Sequence, residues 1–188
     1  MEKRKLAYVF GLALVDGNLS NPNGRAVRLR ITCDTKYKNL IDNIVKSIKD
    51  ICPRNKINIV KGGKPTYVDI SCYSNRWEDL LGWKAKGGSK YKQKASVPIW
   101  IKESKRYIIP CVRGLFETDG SEYFDRGYKM FNFVTMIPTL ATDVMDMLEK
   151  LSFKPRLYKL QSGYKIKHTI RIARDVIEFK RLIKINKT

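Results

Sequence analysis

Residues 9–17 read VFGLALVDG, and residues 112–120 read VRGLFETDG. The positions that the stretches share at a constant offset of 103 include the pairs Gly11 and Gly114, Leu12 and Leu115, Asp16 and Asp119, and Gly17 and Gly120. A Pro-Arg dipeptide follows an amphipathic run later in each half. Because a common spacing of this length is hard to obtain by chance, the sequence predicts two copies of one unit.

The repeat divides the 188 residues into two subdomains and a basic connection. We expect an N-terminal subdomain over 1–82, a linker over 83–97 and a C-terminal subdomain over 98–188. A unit of about 80 residues is marginal in size on its own. The lysines and glycines between Lys84 and Lys94 suit a solvated connection and a phosphate contact equally well.

The spacing of apolar residues predicts the order helix, strand pair, helix, strand pair, helix in each unit. In the first unit, apolar residues recur at three- and four-residue steps over 38–52, which predicts a helix that ends before Pro53. Two apolar stretches, 57–60 and 66–73, flank a glycine- and proline-containing turn at 61–65 and predict a hairpin. A short helix around Trp77 closes the unit.

The second unit matches the first element by element. A strand is expected near 128–135, a helix carries Leu140 to Leu151, and a hairpin turns at Ser162 and Gly163. A last helix carries the apolar residues between Val176 and Ile183. The predicted fold class is therefore α+β, with the same unit used twice.

Two strands place a cationic row opposite an apolar row. Arg28, Arg30 and Thr32 alternate with apolar neighbours, and the residues of 165–171 do the same. A sheet with such a face fits duplex DNA, because a β-ribbon can enter the major groove and contact base edges. The residues expected to contact DNA are Arg25, Arg28, Arg30, Thr32, Lys36, Tyr67, Asp69, Ser71, Tyr73, Lys129, Lys165, Lys167, Thr169 and Arg171.

The overall charge supports a polyanionic partner. The chain has 38 lysines and arginines against 18 aspartates and glutamates, a formal net charge of +20. The excess is spread almost evenly along the sequence, which is typical of a protein that lies along a phosphate backbone. A hydrophobic content of 43% excludes a fully disordered basic tail.

The cysteines and the histidine do not suggest a metal site. Cys33, Cys52, Cys72 and Cys111 are widely spaced, and their apolar or small neighbours suit buried thiols in a reducing compartment. His168, the single histidine, lies on the apolar face of its predicted strand, so a buried, hydrogen-bonded imidazole is favoured over catalysis. We therefore expect no zinc.

The N-terminus resembles a signal peptide only superficially. Basic residues precede an apolar run, but the run stops at Asp16 and Gly17 without a small-x-small cleavage motif. No apolar stretch has the roughly twenty residues that cross a bilayer. We expect an intracellular protein that is neither secreted nor bound to a membrane.

Each predicted helix that contains a repeated stretch, 6–15 and 98–118, runs into Asp-Gly. Glycine is an ordinary helix stop, whereas a carboxylate there meets the negative end of the helix dipole and costs about 0.3 to 1 kcal/mol unless a cation compensates. The same cost at equivalent positions in both copies suggests a use for it. A magnesium or calcium ion, which prefers hard oxygen ligands, would supply the cation.

Both helices are apolar nearly all round, and Gly11 and Gly114 permit a close approach of their backbones. Packing against each other on a pseudo-twofold axis sets Asp16 beside Asp119, between two sheets with basic outer rows. Adjacent carboxylates without a metal would repel each other and DNA. Metal-assisted hydrolysis of a phosphodiester explains their position.

The two nine-residue stretches resemble the paired LAGLIDADG motifs of single-chain homing endonucleases. The second copy, continued by Ser121, is a highly specific match, whereas the first has Leu14 in place of the acid found midway through the motif. The resemblance covers nearly the whole chain. It implies two pseudo-twofold-related αββαββα units, which form a β-sheet saddle for DNA around a central pair of motif helices.

The resemblance also implies an activity, namely a double-strand break in a long DNA target site that leaves short 3′ overhangs. Asp16 and Asp119 then become the catalytic acids and metal ligands, and the main-chain carbonyls of Val15 and Thr118 complete the coordination. Leu14 and Glu117 occupy a non-catalytic position. Family members often place a lysine or glutamine near the metals just past the first strand.

In this chain that place falls near Cys33 and Asp34 in the first half and near Thr135 and Met136 in the second. Lys36 reaches the site only if its loop bends back. The identity of the basic residue therefore stays open.

The leading hypothesis is a magnesium-dependent, intron-encoded endonuclease that acts as a monomer on double-stranded DNA, with calcium supporting binding without cleavage. It would work in the cytoplasm or nucleoid of a prokaryote or in an organellar matrix. Two alternatives use the same scaffold: an intron maturase that binds its host intron RNA, and a DNA-binding regulator without catalysis. Retention of both motif aspartates argues against the regulator.

Overall fold

The computed structural model describes residues 3–61 and 66–185. They form seven helices and eight strands in two successive sets. The first set is α1 (Lys3–Val15), β1 (Gly17–Ser20), β2 (Arg28–Asp34), α2 (Lys38–Ile51), β3 (Ile57–Lys61), β4 (Tyr67–Tyr73) and α3 (Trp77–Leu81). The second is α4 (Ile99–Lys102), α5 (Lys105–Asp119), β5 (Gly120–Asp125), β6 (Tyr128–Thr135), α6 (Pro138–Lys150), β7 (Arg156–Ser162), β8 (Lys165–Ile172) and α7 (Val176–Ile183).

Each set builds one four-stranded antiparallel sheet with the same topology. The strand orders are β1-β2-β4-β3 and β5-β6-β8-β7. The predicted α+β fold with a duplicated helix–strand–strand unit is therefore confirmed. Residues 62–65, which hold most of the turn expected at 61–65, lie outside the described part of the chain, as do 1–2 and 186–188.

The two motif helices pack backbone to backbone at their glycines. A Cβ atom on Gly11 would lie 2.2 Å from the carbonyl oxygen of Cys111, and one on Gly114 would lie 2.4 Å from that of Tyr8. The same offset of 103 relates both members of these contacts, so the interface is reciprocal, as a twofold arrangement requires. The absence of a side chain at both glycines permits the close approach.

The helix expected over 98–118 is interrupted, so that prediction was wrong in detail. Pro98 precedes the short helix α4, and a separate helix, α5, begins after Ser104. Ser104 has an extended backbone (φ −143°), and its side chain accepts a hydrogen bond from the backbone N–H of Arg106. This cap starts a new helix because it satisfies an N–H group that has no partner within the helix.

The sheets bury one face against the helices. Leu29, Ile31 and Ile70 of the first sheet, and Phe133 and Ile170 of the second, are fully buried. The alternating residues of β2, β4 and β8 face away from the helices, as the sequence pattern predicted. The two outer faces are therefore continuous strips of polar and charged side chains.

The four cysteines are buried as free thiols. His168 is 5% exposed, and its Nδ1 atom has no hydrogen-bond partner. The histidine is therefore buried as expected, but its hydrogen bonding is incomplete. Among the described helices, none combines the length and apolar character needed to cross a membrane.

Candidate metal centre and nucleic-acid face

The two motif aspartates lie where the paired helices end. Asp16 stands between the last residue of α1 and the first of β1, and Asp119 is the last residue of α5. Asp16 lines a cavity of about 140 Å³ together with Thr118, and Asp119 lines one of about 500 Å³ together with Val15. Each cavity therefore combines the aspartate of one motif with the residue that precedes the aspartate of the other.

The two cavities differ in chemistry. The Asp16 cavity has a wall that includes Thr32, Cys33, Asp34 and Tyr37. These side chains add hydroxyl groups, a thiol and a further carboxylate to the carboxylate of Asp16. The Asp119 cavity has a mostly apolar wall, formed in part by Leu14, Phe133, Met136, Ile137 and Leu140. Oxygen donors of the kind that magnesium prefers are concentrated on the Asp16 side.

Lys90 supplies a cation at the Asp119 cavity, which it lines. Its ammonium group donates to the carbonyl oxygens of Ala13 at 2.9 Å, Val15 at 2.8 Å and Gly17 at 2.9 Å. These oxygens belong to the C-terminal end of α1 and the start of β1. Lys90 therefore compensates the negative end of the α1 dipole.

The pKa of Lys90 reflects opposing influences. Burial lowers it to about 8, and the negative charges of Asp16 and Asp119 act in the opposite direction. A pKa of about 8 leaves the ammonium group mostly protonated at neutral pH. The side chain is therefore a positive charge on which both aspartates act.

Sequence reasoning placed Lys90 in the linker and missed this contact. One signal could have found it: a carboxylate at the end of a helix calls for a cation, and 83–97 is the most lysine-rich connection in the chain. Lys36, the basic residue considered instead, lies 3.1 Å from Asp34 and over the ring of Tyr37. Lys36 therefore stands at the edge of the Asp16 cavity, paired with one of the residues that line it.

The end of α5 has different contacts. The hydroxyl group of Thr118 donates to the carbonyl oxygens of Leu115 at 2.7 Å and Gly114 at 3.1 Å, three and four residues earlier in the same helix. The helix ends at Gly120, whose backbone N–H donates to the carbonyl oxygen of Phe116. The two helix ends therefore share a backbone arrangement but use different groups, a lysine from the linker and a local hydroxyl.

Glu117 is fully buried within the helix pair. Its carboxylate accepts a hydrogen bond from the Tyr8 hydroxyl at 2.6 Å and pairs with Arg113 at 2.9 Å. Burial and the neighbouring carboxylate raise the pKa of Tyr8. These contacts tie Glu117 into the helix interface, and the resemblance places it at a non-catalytic position of the motif.

The outer face of the first sheet contains most of the predicted DNA contacts of that half. Arg30 lies opposite Ser71 in the β2–β4 pairing and 3.6 Å from Asp69, which accepts a hydrogen bond from Thr32. Arg28 pairs with Tyr73 across the strands. Ser71 is the most covered member of the row, at 8% exposure, and Tyr67 lies at the far end of β4. Arg25 is exposed in the loop before β2.

The second sheet presents a matching row from β8, formed by Lys165, Lys167, Thr169 and Arg171. Arg171 lies opposite Asn132 and 3.7 Å from Asp125. Each sheet therefore has one arginine in a cross-strand pair with a short polar residue, and a carboxylate beside it.

Lys129, a predicted DNA contact, is not on the outer face of the second sheet. It shares the strand parity of Phe131 and Phe133, which face the helices, and it pairs with Glu122 at 2.9 Å. Glu122 also pairs with Lys180 of α7. Lys129 therefore points to the helix-covered side of the sheet. The weakly alternating sequence of β6 does not indicate which of its residues face outward.

No family model and no curated protein matches this sequence. Solved structures do. The chain is similar to I-DmoI, a homing endonuclease, in its complex with DNA and Ca, with a TM-score of 0.69 and 20% identity over 96% of this chain and 89% of that one. The complex with DNA and Mn gives a TM-score of 0.68 and 21% identity over 96% of both chains.

A third solved structure is the N-terminal LAGLIDADG domain of DUF199/WhiA. It has a TM-score of 0.66 and 12% identity, and the match covers 98% of this chain and 84% of that one. The chain therefore has the LAGLIDADG fold, which confirms the resemblance found in the motifs. I-DmoI shares that fold over nearly the whole length of both chains.

Proposed function

We propose that this protein is a sequence-specific, divalent-metal-dependent DNA endonuclease of the homing type. The observation that carries the proposal is the position of Asp16 and Asp119, at the ends of two tightly paired helices and between two basic sheet faces. Solved complexes of I-DmoI contain DNA with Ca, Mn or Mg, which supports a nucleic acid and a divalent cation as ligands here.

The Asp16 cavity fits such a cation. Carboxylates of Asp16 and Asp34 line it, Thr118 contributes to its wall, and these are hard-ligand residues. Asp16 and Asp34 would hold a magnesium ion there, which would supply a Lewis acid for the phosphodiester and for an attacking water molecule. The outer rows of the two sheets hold the duplex, so that the phosphates between the half-sites face the helix ends.

Several finer features belong to the same proposal. The protein acts as a monomer, breaks both strands of a long target and leaves short 3′ overhangs. Magnesium supports cleavage, whereas calcium supports binding alone. Its origin is an intron reading frame, and its place of action is intracellular, in a prokaryote or an organelle.

A cleavage selection on a randomised or host-genome duplex library tests the proposal. The protein is incubated with magnesium, with calcium, and in parallel as the Asp16→Asn and Asp119→Asn variants. We expect discrete breaks that require magnesium and are lost, with at least a hundredfold drop in rate, in both variants while DNA binding persists. The matched control is Asp146→Asn, which removes one carboxylate from an exposed ion pair with Lys150.

Cuts that persist in both aspartate variants would contradict the assignment of the site. Bound sites without any cut would contradict the nuclease and favour the regulator that lacks catalysis. In either case the fold and the basic faces would keep their interpretation.

One observation favours the intron maturase as a second candidate. Three aromatic side chains of the second sheet and its β7–β8 turn are strongly exposed: Tyr164 of the turn at 87%, Tyr128 at 72% and Phe124 at 69%. Exposed rings are typical platforms for unpaired RNA bases. Binding of host intron RNA in preference to duplex DNA, and its loss in Tyr164→Ala, would support this function; equal binding of unrelated RNA would contradict it.

A further inference from the structure

We propose that the ammonium group of Lys90 replaces the second divalent cation, so that the protein holds one metal ion, on the Asp16 side. The inference rests on the proposed metal-dependent function and makes it more specific. In a two-cation arrangement, Asp16 with Thr118 and Asp119 with Val15 would form equivalent sites. The structure makes them unequal.

Main-chain oxygens surround the ammonium group of Lys90. Its three acceptors lie at 2.8 to 2.9 Å, and one of them is the carbonyl oxygen of Val15. That carbonyl is the main-chain ligand expected for the ion on the Asp119 side. An ammonium group donates three hydrogen bonds, and here all three are made to main-chain oxygens. Lys90 is therefore held by fixed backbone groups rather than by a flexible surface contact.

The positive charge of Lys90 disfavours a second cation beside it. The negative charges of Asp16 and Asp119 both act on Lys90. A divalent cation beside Asp119 and Val15 would meet this positive charge at short range, inside a partly buried site where water screens poorly. Occupation of that position by metal therefore requires displacement of Lys90 from its three carbonyls.

The lining of the Asp16 cavity differs from that of the Asp119 cavity. Among the residues that the structure describes, the lining of the Asp16 cavity includes the carboxylates of Asp16, Asp34 and Glu117 but neither lysine nor arginine. Glu117 is engaged by Tyr8 and Arg113. Lys36, whose side chain is 63% exposed, pairs with Asp34 at 3.1 Å, so a metal ion bound by Asp16 and Asp34 would displace an exposed lysine there.

The number of bound Mn²⁺ ions tests the proposal without any measurement of cleavage. The full-length protein is titrated with Mn²⁺, and the free ion is counted by electron paramagnetic resonance. We expect one bound ion in the native protein and two in Lys90→Met, with the spectral broadening that two neighbouring Mn²⁺ ions cause. Lys86→Met, an exposed lysine in the same connection, is the charge-matched control and should bind one.

Three further variants keep the test decisive if Lys90→Met unfolds. Asp16→Asn in the native background should lose the single ion, whereas Asp119→Asn should retain it. Lys90→Arg, which keeps the positive charge, should still bind one ion.

Two ions in the native protein, one ion in folded Lys90→Met, or loss of the ion only in Asp119→Asn would each overturn the role of Lys90. Those outcomes leave the metal-dependent function standing. An absence of bound Mn²⁺ from the native protein and every variant would instead overturn the proposed function, and this inference with it.

Discussion

The two motif helices share a backbone but differ in their side chains. At the interface, α5 has Arg113 and Glu117 where α1 has Phe10 and Leu14 at the same offset of 103. At their ends, a linker lysine binds the carbonyls of α1, whereas the hydroxyl group of Thr118 bonds back to carbonyls within α5. The comparison teaches that reciprocal backbone packing constrains the glycines, while the neighbouring positions are free to diverge.

The strongest test of the reciprocal backbone packing is to place a methyl group at each of the two interface glycines. Gly11→Ala and Gly114→Ala would put a Cβ atom 2.2 and 2.4 Å from a backbone oxygen of the facing helix. Because backbone atoms cannot move without separating the helices, we expect each variant to lose about 4 kcal/mol or more of unfolding free energy. Urea denaturation measures the loss.

Gly24→Asn is the control for these variants. Gly24 has open space around it and a positive φ that asparagine tolerates. A loss below about 1 kcal/mol in either motif variant, or unequal losses in the two, would contradict the reciprocal interface.

A second test removes the difference between the helices. Arg113→Phe leaves the buried Glu117 carboxylate without its guanidinium partner, so we expect a loss of about 3 kcal/mol in unfolding free energy. Adding Glu117→Leu gives α5 the same two residues as α1 and should recover most of that loss. A double-mutant cycle in urea measures the coupling; additive losses would show that the pair is not a unit.

A third test, with a smaller expected effect, compares the outer faces of the two sheets. Arg30→Ala and Arg171→Ala should each weaken binding to the selected DNA target by about 1 to 3 kcal/mol if the guanidinium contacts a base edge. The affected base pairs should then lie in opposite half-sites. If an arginine contacts only phosphate, the loss should be independent of sequence and the salt slope should fall by about one. Lys129→Ala, on the helix-covered side, should change neither.

The fold was predictable because several local signals agree. Each of several patterns indicates the buried face of one element. These patterns are the repeated glycines, the alternation in β2 and β8, and the helical spacing of α2. Most boundaries were predicted within a few residues. The break between α4 and α5 was missed, because Ser104 acts as a cap inside a stretch whose flanks both favour a helix.

The aspartates of the candidate site could be identified from sequence, whereas for its cation the sequence indicated only the lysine-rich linker and not the residue. Asp16 and Asp119 belong to the repeated stretches, but Lys90 reaches α1 from a segment more than seventy residues later. Its hydrogen bonds are made to carbonyl groups, which every residue has, so no side-chain pattern marks the acceptors. The facing direction of Lys129 escaped for a related reason, since register is set by pairing partners rather than by the strand alone.

The origin of Lys90 has an evolutionary consequence. A protein made of two fused repeats has a single connection between them, and whatever that connection contributes reaches only one of two equivalent places. A homodimer of one-repeat subunits would apply any such lysine twice or not at all. Fusion into one chain thus allows two otherwise equivalent helix ends to become unequal without a change in either motif.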